Sequence, residues 1–343
     1  MRQVSRRRFV CLMAGVGTSA GVVTALRLGR ERADNLPSNN GLQRISRTSW
    51  ALGSNVTITL LHEDAVAGDA VIEAAFSELE LIEDVMSIYR ADSQLSRLNR
   101  EGMLDDPHPH FVDVLRAAQS MSRRSGGAFD VTIQPLWDLY AAAQRLKQLP
   151  AEEDIASTQR SIGWQRLHVA KSQIRLDGVG TAITLNGIAQ GFAADRVAAV
   201  LREHGVKDAL IDTGEIGTLG TKADGDPWSI GIQHPRDRES YISVAELAGR
   251  CLATSGDYAT TFSDDHRHHH LLDPRTGRSP TDLSSVSIAA RTSLDADALS
   301  TAVFVMGAEA GLRLVQQTPG ADALLVLKDG RIVVTPGFPS LNT

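Results

Sequence analysis

The sequence predicts an α+β fold of antiparallel sheets with flanking helices. Two observations carry that prediction. Short alternating or β-branched runs are joined mostly by tight turns, so hairpins outnumber strand–helix–strand units and a doubly wound parallel sheet is disfavoured. Between them stand longer segments with apolar residues at helical spacing, such as "DAVAGDAVIEAAFSELELIEDVMSIY" from Asp64 to Tyr89. Apolar residues make up 42% of the 343 positions and charged residues 22%, enough for a sizeable core. The formal net charge of −6 argues against a nucleic-acid partner. Cys11 and Cys251 are the only cysteines, which excludes a disulfide framework and a Cys-rich zinc site.

The elements follow in order. "SRRRFV" (Ser5–Val10) precedes a weakly apolar stretch rich in Gly, Ala, Ser and Thr that runs to Leu26. A basic head followed by such a stretch reads as a twin-arginine-type export signal over residues 1–33, giving a periplasmic location. An uncleaved segment would instead give N-terminal or transient membrane association. Residues 34–47 are polar and read as a linker, and 48–343 as one domain. "WALGSNVTITLLH" (Trp50–His62) alternates and reads as a strand. The long helix from Asp64 comes next. "HFVDVLRAAQSMSRRSG" (His110–Gly126) and "PLWDLYAAAQRLKQLP" (Pro135–Pro150) follow as helices closed by Gly and Pro. Leu167–Gly178 reads as a hairpin, and Gly187–Gly205 as a helix opened by a glycine turn. Short strands are expected at 208–214, 228–235, 241–247, 251–256 and 284–291. Helices at 295–307 and 309–320 and a closing hairpin around Asp329-Gly330 complete the chain.

Four segments carry chemistry. "LNGIAQGFAAD" (Leu185–Asp195) puts glycines at a helix start, where free N–H groups favour a phosphate, though such turns are commonly structural. No Gly-Lys-Ser follows, so this is not a Walker loop. In "DADALSTA", Asp297 and Thr301 share one helix face. A carboxylate and a hydroxyl suit Mg²⁺, although Asp near a helix N-terminus is also ordinary. "LATSGDYATTF" (Leu252–Phe262) is a strand ending in a hydroxyl-and-glycine turn, either a ligand cover or a plain turn. Four histidines and an aspartate fall between His266 and Asp273. Adjacent histidines point in different directions, so a zinc site built from the run alone is disfavoured.

In their order along the chain, "MSIYRADSQLSRLN", "GGAFDVTIQPLWDLY", "LNGIAQGFAADRV", "ALIDTGEIGTLG", "LATSGDYATTF", "HHLLDPRTGRSP" and "DADALSTAVFVMG" resemble the motifs of the ApbE family, the FAD:protein FMN transferases. The resemblance spans Ser49–Pro336. It implies a T-fold-related α+β fold and a Mg²⁺-dependent cleavage of FAD. FMN would pass to a threonine of an acceptor flavoprotein domain, with AMP released. Asp297 and Thr301 match the family's metal ligands, and Gly187 matches a third through its backbone carbonyl. Ala128, Phe129 and Asp130 match a segment that contacts FAD. Tyr89 matches a ring-stacking position, and Thr254, Ser255, Gly256 and Asp257 a turn over the flavin nucleotide. His270 matches a histidine near the diphosphate and is the candidate general base, with Leu271 beside it. His266, His268 and His269 need no role. Gln190 stands where many members carry lysine, Thr184 where an acidic residue is usual, and "TGEIG" is one residue short of the common "GGEI" pattern. "LNGIAQG" together with an export signal is similar to a branch associated with nitrous oxide reductase maturation. An FAD-holding protein without transfer, and an FAD diphosphatase, are the alternative functions.

Overall fold

The structure is a computed structural model describing residues 41–340. The export signal and the first part of the linker lie outside the described residues. Ordered structure begins within the stretch read as linker, because β1 (Gln43–Ala51) starts ahead of position 48. This strand sits on a sheet edge and is exposed along almost its whole length, so no alternation marks it in the sequence. The single strand expected at Trp50–His62 is a hairpin. β1 turns at Leu52-Gly53, both with positive φ (53° and 76°), into β2 (Ser54–His62). Two successive left-handed residues give the primed turn whose twist suits a two-residue hairpin.

Helix α1 (Ala65–Met86) follows, capped by Asp64, whose carboxylate accepts the Val66 and Ala67 N–H groups. Then come α2 (Gln94–Glu101), β3 (Met103–Asp105), α3 (Pro109–Arg124), α4 (Gln134–Arg145) and α5 (Glu152–Gln159). The hairpin β4 (Leu167–Val169) and β5 (Gln173–Leu176) pairs with β3 in a small sheet of order β3-β5-β4. Helix α6 (Ala189–Glu203) leads into β6 (Ala209–Asp212), β7 (Ile216–Leu219), β8 (Trp228–His234), β9 (Asp237–Leu247) and β10 (Cys251–Gly256). After a long excursion come β11 (Leu283–Ala290), α7 (Ser293–Met306), α8 (Ala308–Gln316), β12 (Asp322–Leu327) and β13 (Ile332–Val334).

The main sheet has the order β1-β2-β6-β7-β10-β11-β12-β13, with every neighbouring pair antiparallel. This is the predicted α+β architecture. Its central strands are covered on both faces, and β11 is buried at every residue. Alternation sorts them: Val286, Ile288 and Ala290 join the core under the helices, while Ala289 joins Leu252 and Leu324 in a second core beneath the β8–β9 ribbon. No helix among the described residues is long and apolar enough to cross a membrane. Helix α7 packs on β10 and β11 and against α6. That layering carries the α7 face with Asp297 and Thr301 to the turn that opens α6.

Candidate functional site

A cleft with about 910 Å³ of empty space, open solvent at its mouth included, lies where β10, α7, the turn before α6 and the 128–133 loop meet. It is lined by Ala128, Phe129 and Asp130 from the loop, by Thr184 and Gly187 from the turn, by Thr254, Ser255 and Gly256 from β10, by His270 and Leu271, and by Asp297 and Thr301. These predicted residues come from five stretches of chain, and only the fold brings them together.

At one end Asp297 and Thr301 stack one turn apart on α7. The Asp297 carboxylate is nearly fully buried and accepts the Gly191 N–H at 2.9 Å. Gly191 lies in the first turn of α6, which has no side-chain cap of its own, so Asp297 supplies the missing acceptor from the neighbouring helix. Asp195 returns the arrangement. Its carboxylate accepts the Ser293 and Leu294 N–H groups at the start of α7, at 2.8 and 2.9 Å. Ser255 Oγ sits 2.8 Å from Ser300 Oγ and 3.2 Å from Thr301 Oγ1. The backbone at Gly187 passes so close that a Cβ there would lie 2.9 Å from Thr301 Oγ1.

Buried carboxyl groups crowd this end. Burial first, then the Asp195 carboxylate, push Asp297 up to about 7, against the bond from Gly191. Glu215 is buried and also lines the cleft; burial, then the Asp297 charge, raise it well above the usual carboxylate range. The charges acting on these two groups are other carboxylates. A carboxylate, a hydroxyl and adjacent backbone carbonyls form a hard oxygen donor set, which fits Mg²⁺ and not a soft metal. Among the described residues no three His, Cys, Asp or Glu side chains converge on a metal position, the histidine run included. A cation at Asp297 therefore draws its other ligands from backbone and substrate oxygens.

His270 faces the same cleft. Its backbone N–H donates to the Thr260 carbonyl at 3.0 Å, and its Nδ1 lies 3.1 Å from that same oxygen. A carbonyl only accepts, so Nδ1 carries the proton and Nε2 of the neutral ring is left as an acceptor. Burial holds the imidazole below its ordinary pKa, with the Thr260 bond and the Asp257 charge opposing. His269 is fully buried, packs edge-on to Phe304 and sits 3.1 Å from the Pro280 carbonyl through Nε2, so it is a core residue.

Three predicted residues stand apart. Asp257 is fully buried away from the cleft, held by Arg236 and Lys328. It directly follows the turn, but its side chain points into the layer behind. Gln190 does not line the cleft either: its amide packs against Gly214. Tyr89 is 63% exposed and outside the lining, within electrostatic reach of Asp138. Asp130 lines the cleft, yet its carboxylate is engaged by Thr132 and by the Trp164 N–H, so its main work is to shape the loop. Glu215, Trp137 and Thr260 also line the cleft and went unassigned in the sequence. Glu215 was visible as the acid of "TGEIG"; nothing local marks the other two.

A buried carboxylate–hydroxyl pair and a neutral imidazole acceptor sharing one cleft define a site suited to phosphoryl transfer. The ApbE family model matches residues 52–325, and the chain belongs to the ApbE family. Curated relatives share its length. An FAD:protein FMN transferase of Treponema pallidum is 30% identical over 355 residues, covering 96% of this chain and 92% of the relative. One from Vibrio cholerae is 30% identical over 284 residues, covering 80% and 85%. Among solved structures, flavin transferase ApbE from Vibrio cholerae aligns with a TM-score of 0.76 at 26% identity, over 88% of this chain and 100% of that one. The apo form of the Pseudomonas stutzeri flavinyl transferase ApbE gives 0.75 at 31% identity, over 86% and 94%.

Proposed function

We propose that this chain is an enzyme that transfers the FMN moiety of FAD to a threonine hydroxyl of a target protein and releases AMP. The relatives' shared activity supports flavin transfer. The observation that carries the chemistry is the neutral His270 ring, its Nε2 unprotonated, in one cleft with Asp297 and Thr301. Asp297, Thr301 and the Gly187 carbonyl would hold Mg²⁺, which would supply charge neutralisation to the diphosphate. Phe129 and Leu271 give apolar surface to the bound nucleotide, and the Thr254–Gly256 turn and Thr184 give it polar edges. The acceptor threonine Oγ attacks the phosphorus of the FMN half. A new P–O bond forms, the bond to the AMP phosphate breaks, and the threonine proton passes to His270 Nε2.

The twin-arginine-type reading of residues 1–33 supports a periplasmic setting, and the acceptor proposed is a flavin domain of a membrane electron-transfer protein facing that compartment. The test combines the chain with FAD, Mg²⁺ and such a domain and weighs the acceptor by mass spectrometry. The expected result is an FMN-sized mass gain, with AMP in equal amount, abolished by EDTA and by Asp297→Ala. AMP and FMN released without a mass gain would mean that water is the acceptor; bound FAD with no turnover would make the chain a flavin holder.

A further inference from the structure

We propose that Lys328 is a positioning residue for His270, locking the loop that carries the base onto the buried Asp257. The proposal rests on the reading of His270 as the base. Between β10 and β11 the chain makes an excursion, and residues 257–270 fold back on themselves. Phe262 N–H donates to the His268 carbonyl at 2.7 Å, Thr261 and His269 form an antiparallel bridge, and His270 returns to the Thr260 carbonyl. The ring is set by this small hairpin, so the base is only as well placed as the hairpin.

One side of the hairpin is held by α4, through Gln144 Nε2 donating to the Thr261 carbonyl at 2.7 Å and Tyr140 stacking on Phe262 at 5.2 Å. The other side is held by Lys328. Its Nζ donates to the His266 carbonyl at 2.7 Å, at the hairpin's tip, and also to the Asp257 carboxylate at its root. The Lys328 N–H donates to the Asp282 carbonyl at 3.0 Å, which ties it to the stretch entering β11. An ammonium presents three donors from one point, so it bridges tip and root at once. The tip needs a holder: His266 has φ 56°, a left-handed conformation that a non-glycine residue keeps only when its surroundings enforce it. Asp257 in turn is satisfied on its other side by Arg236 at 2.6 and 2.7 Å, with Arg236 also on Ser284 Oγ at 2.9 Å. The buried carboxylate is thus a fixed post, and Lys328 fastens the moving part to it.

Two readouts test this. In the chain alone, amide hydrogen exchange at Phe262 and His270 should rise at least about tenfold in Lys328→Gln while the helices keep their protection, because these amides close the hairpin. In the FMN-transfer assay, the same variant should lose roughly 10- to 100-fold in kcat, the range for a reacting group displaced by about an ångström. The KM for FAD should stay within about twofold, and Lys328→Arg, which keeps charge and donors, should recover most of the rate. If Lys328→Gln strands Asp257 and fails to fold, the Lys328→Gln/Asp257→Asn pair, which leaves no lone buried carboxylate, replaces it. Unchanged exchange at Phe262 and His270, unchanged kcat, or equal losses in kcat and FAD binding would each overturn the proposal. A wild-type chain that transfers no FMN would refute the transfer reading instead, and the exchange result would still decide whether Lys328 anchors the hairpin.

Discussion

Replacing Gly191 by alanine probes the contact on which the metal end depends. The added Cβ would sit 2.3 Å from the Ser293 carbonyl oxygen and 2.7 Å from the Asp297 Cβ. Both belong to α7, and the carbonyl is backbone, so no side chain can swing aside. Restoring ordinary contact needs α6 and α7 to part by roughly an ångström, at an overpacking cost of about 1–3 kcal/mol. The same motion stretches the 2.9 Å bond from the Gly191 N–H to Asp297, worth about 1.5–3 kcal/mol for a charged acceptor. Against this, Gly→Ala in a helix gains at most about 1 kcal/mol. The net expectation is a loss of about 1.5–5 kcal/mol, summed from those three effects. Urea unfolding of Gly191→Ala measures it through the midpoint, at unchanged slope. In the transfer assay the displaced Asp297 should lower kcat by on the order of 100-fold. A variant as stable as the parent and fully active would show that propensity alone governs position 191, and that Asp297 is not seated by α6.

His270→Gln should keep FAD binding and lose about 10²–10⁴ in kcat, as for a removed general base. In the parent, burial depresses the imidazole below 6.5. A rate profile should therefore be flat from neutral pH downward and fall only as pH drops through that lowered value; an acid limb above 6.5 would contradict the assignment. Stability should respond to pH with the opposite sign. Asp212 is pushed up to about 6, by burial, from 3.8. The folded state then holds that proton more tightly than the unfolded state, so its contribution is present below about 4 and lost as pH rises through 6. Urea titrations of the metal-free chain between pH 4 and 7 check this against an Asp212→Asn control, in which that part of the slope should vanish.

Much of this was legible in the sequence because it was written in local spacing. Helix periodicity marked α1, α3 and α6, and the one-turn interval from Asp297 to Thr301 placed both oxygens on one face before any tertiary contact was known. What was not legible depends on neighbours distant in sequence. Edge strand β1 carries no clear alternation because it is exposed along most of its length, with Ile45 and Ala51 reaching the core. Helix α2 buries only Leu95 and Leu98, too few to show a period. Asp257 was assigned with Thr254, Ser255 and Gly256 from the resemblance of the whole turn, but the chain leaves the strand there, and the partners that claim its carboxylate are Arg236 and Lys328. Trp137 and Thr260 reach the cleft only because α4 and the 257–270 excursion pack together.

Gln190 and the turn at Gly214 are far apart along the chain and are a single feature in space. A Cβ at Gly214 would lie 2.5 Å from Gln190 Nε2, and the Thr213 hydroxyl donates to the Gln190 carbonyl at 3.0 Å. The Gly214 turn closes directly onto the glutamine amide. Among the described residues no cation faces the two acids of this turn, Asp212, which accepts the Gly214 N–H at 3.0 Å, and Glu215. Those groups are instead pushed toward their protonated forms by burial, Asp212 to about 6 and Glu215 well up. Position 190 and the Gly214 turn are therefore one packed unit, and under the proposed function the positive charge facing the diphosphate would come from a cation held by Asp297 and Thr301.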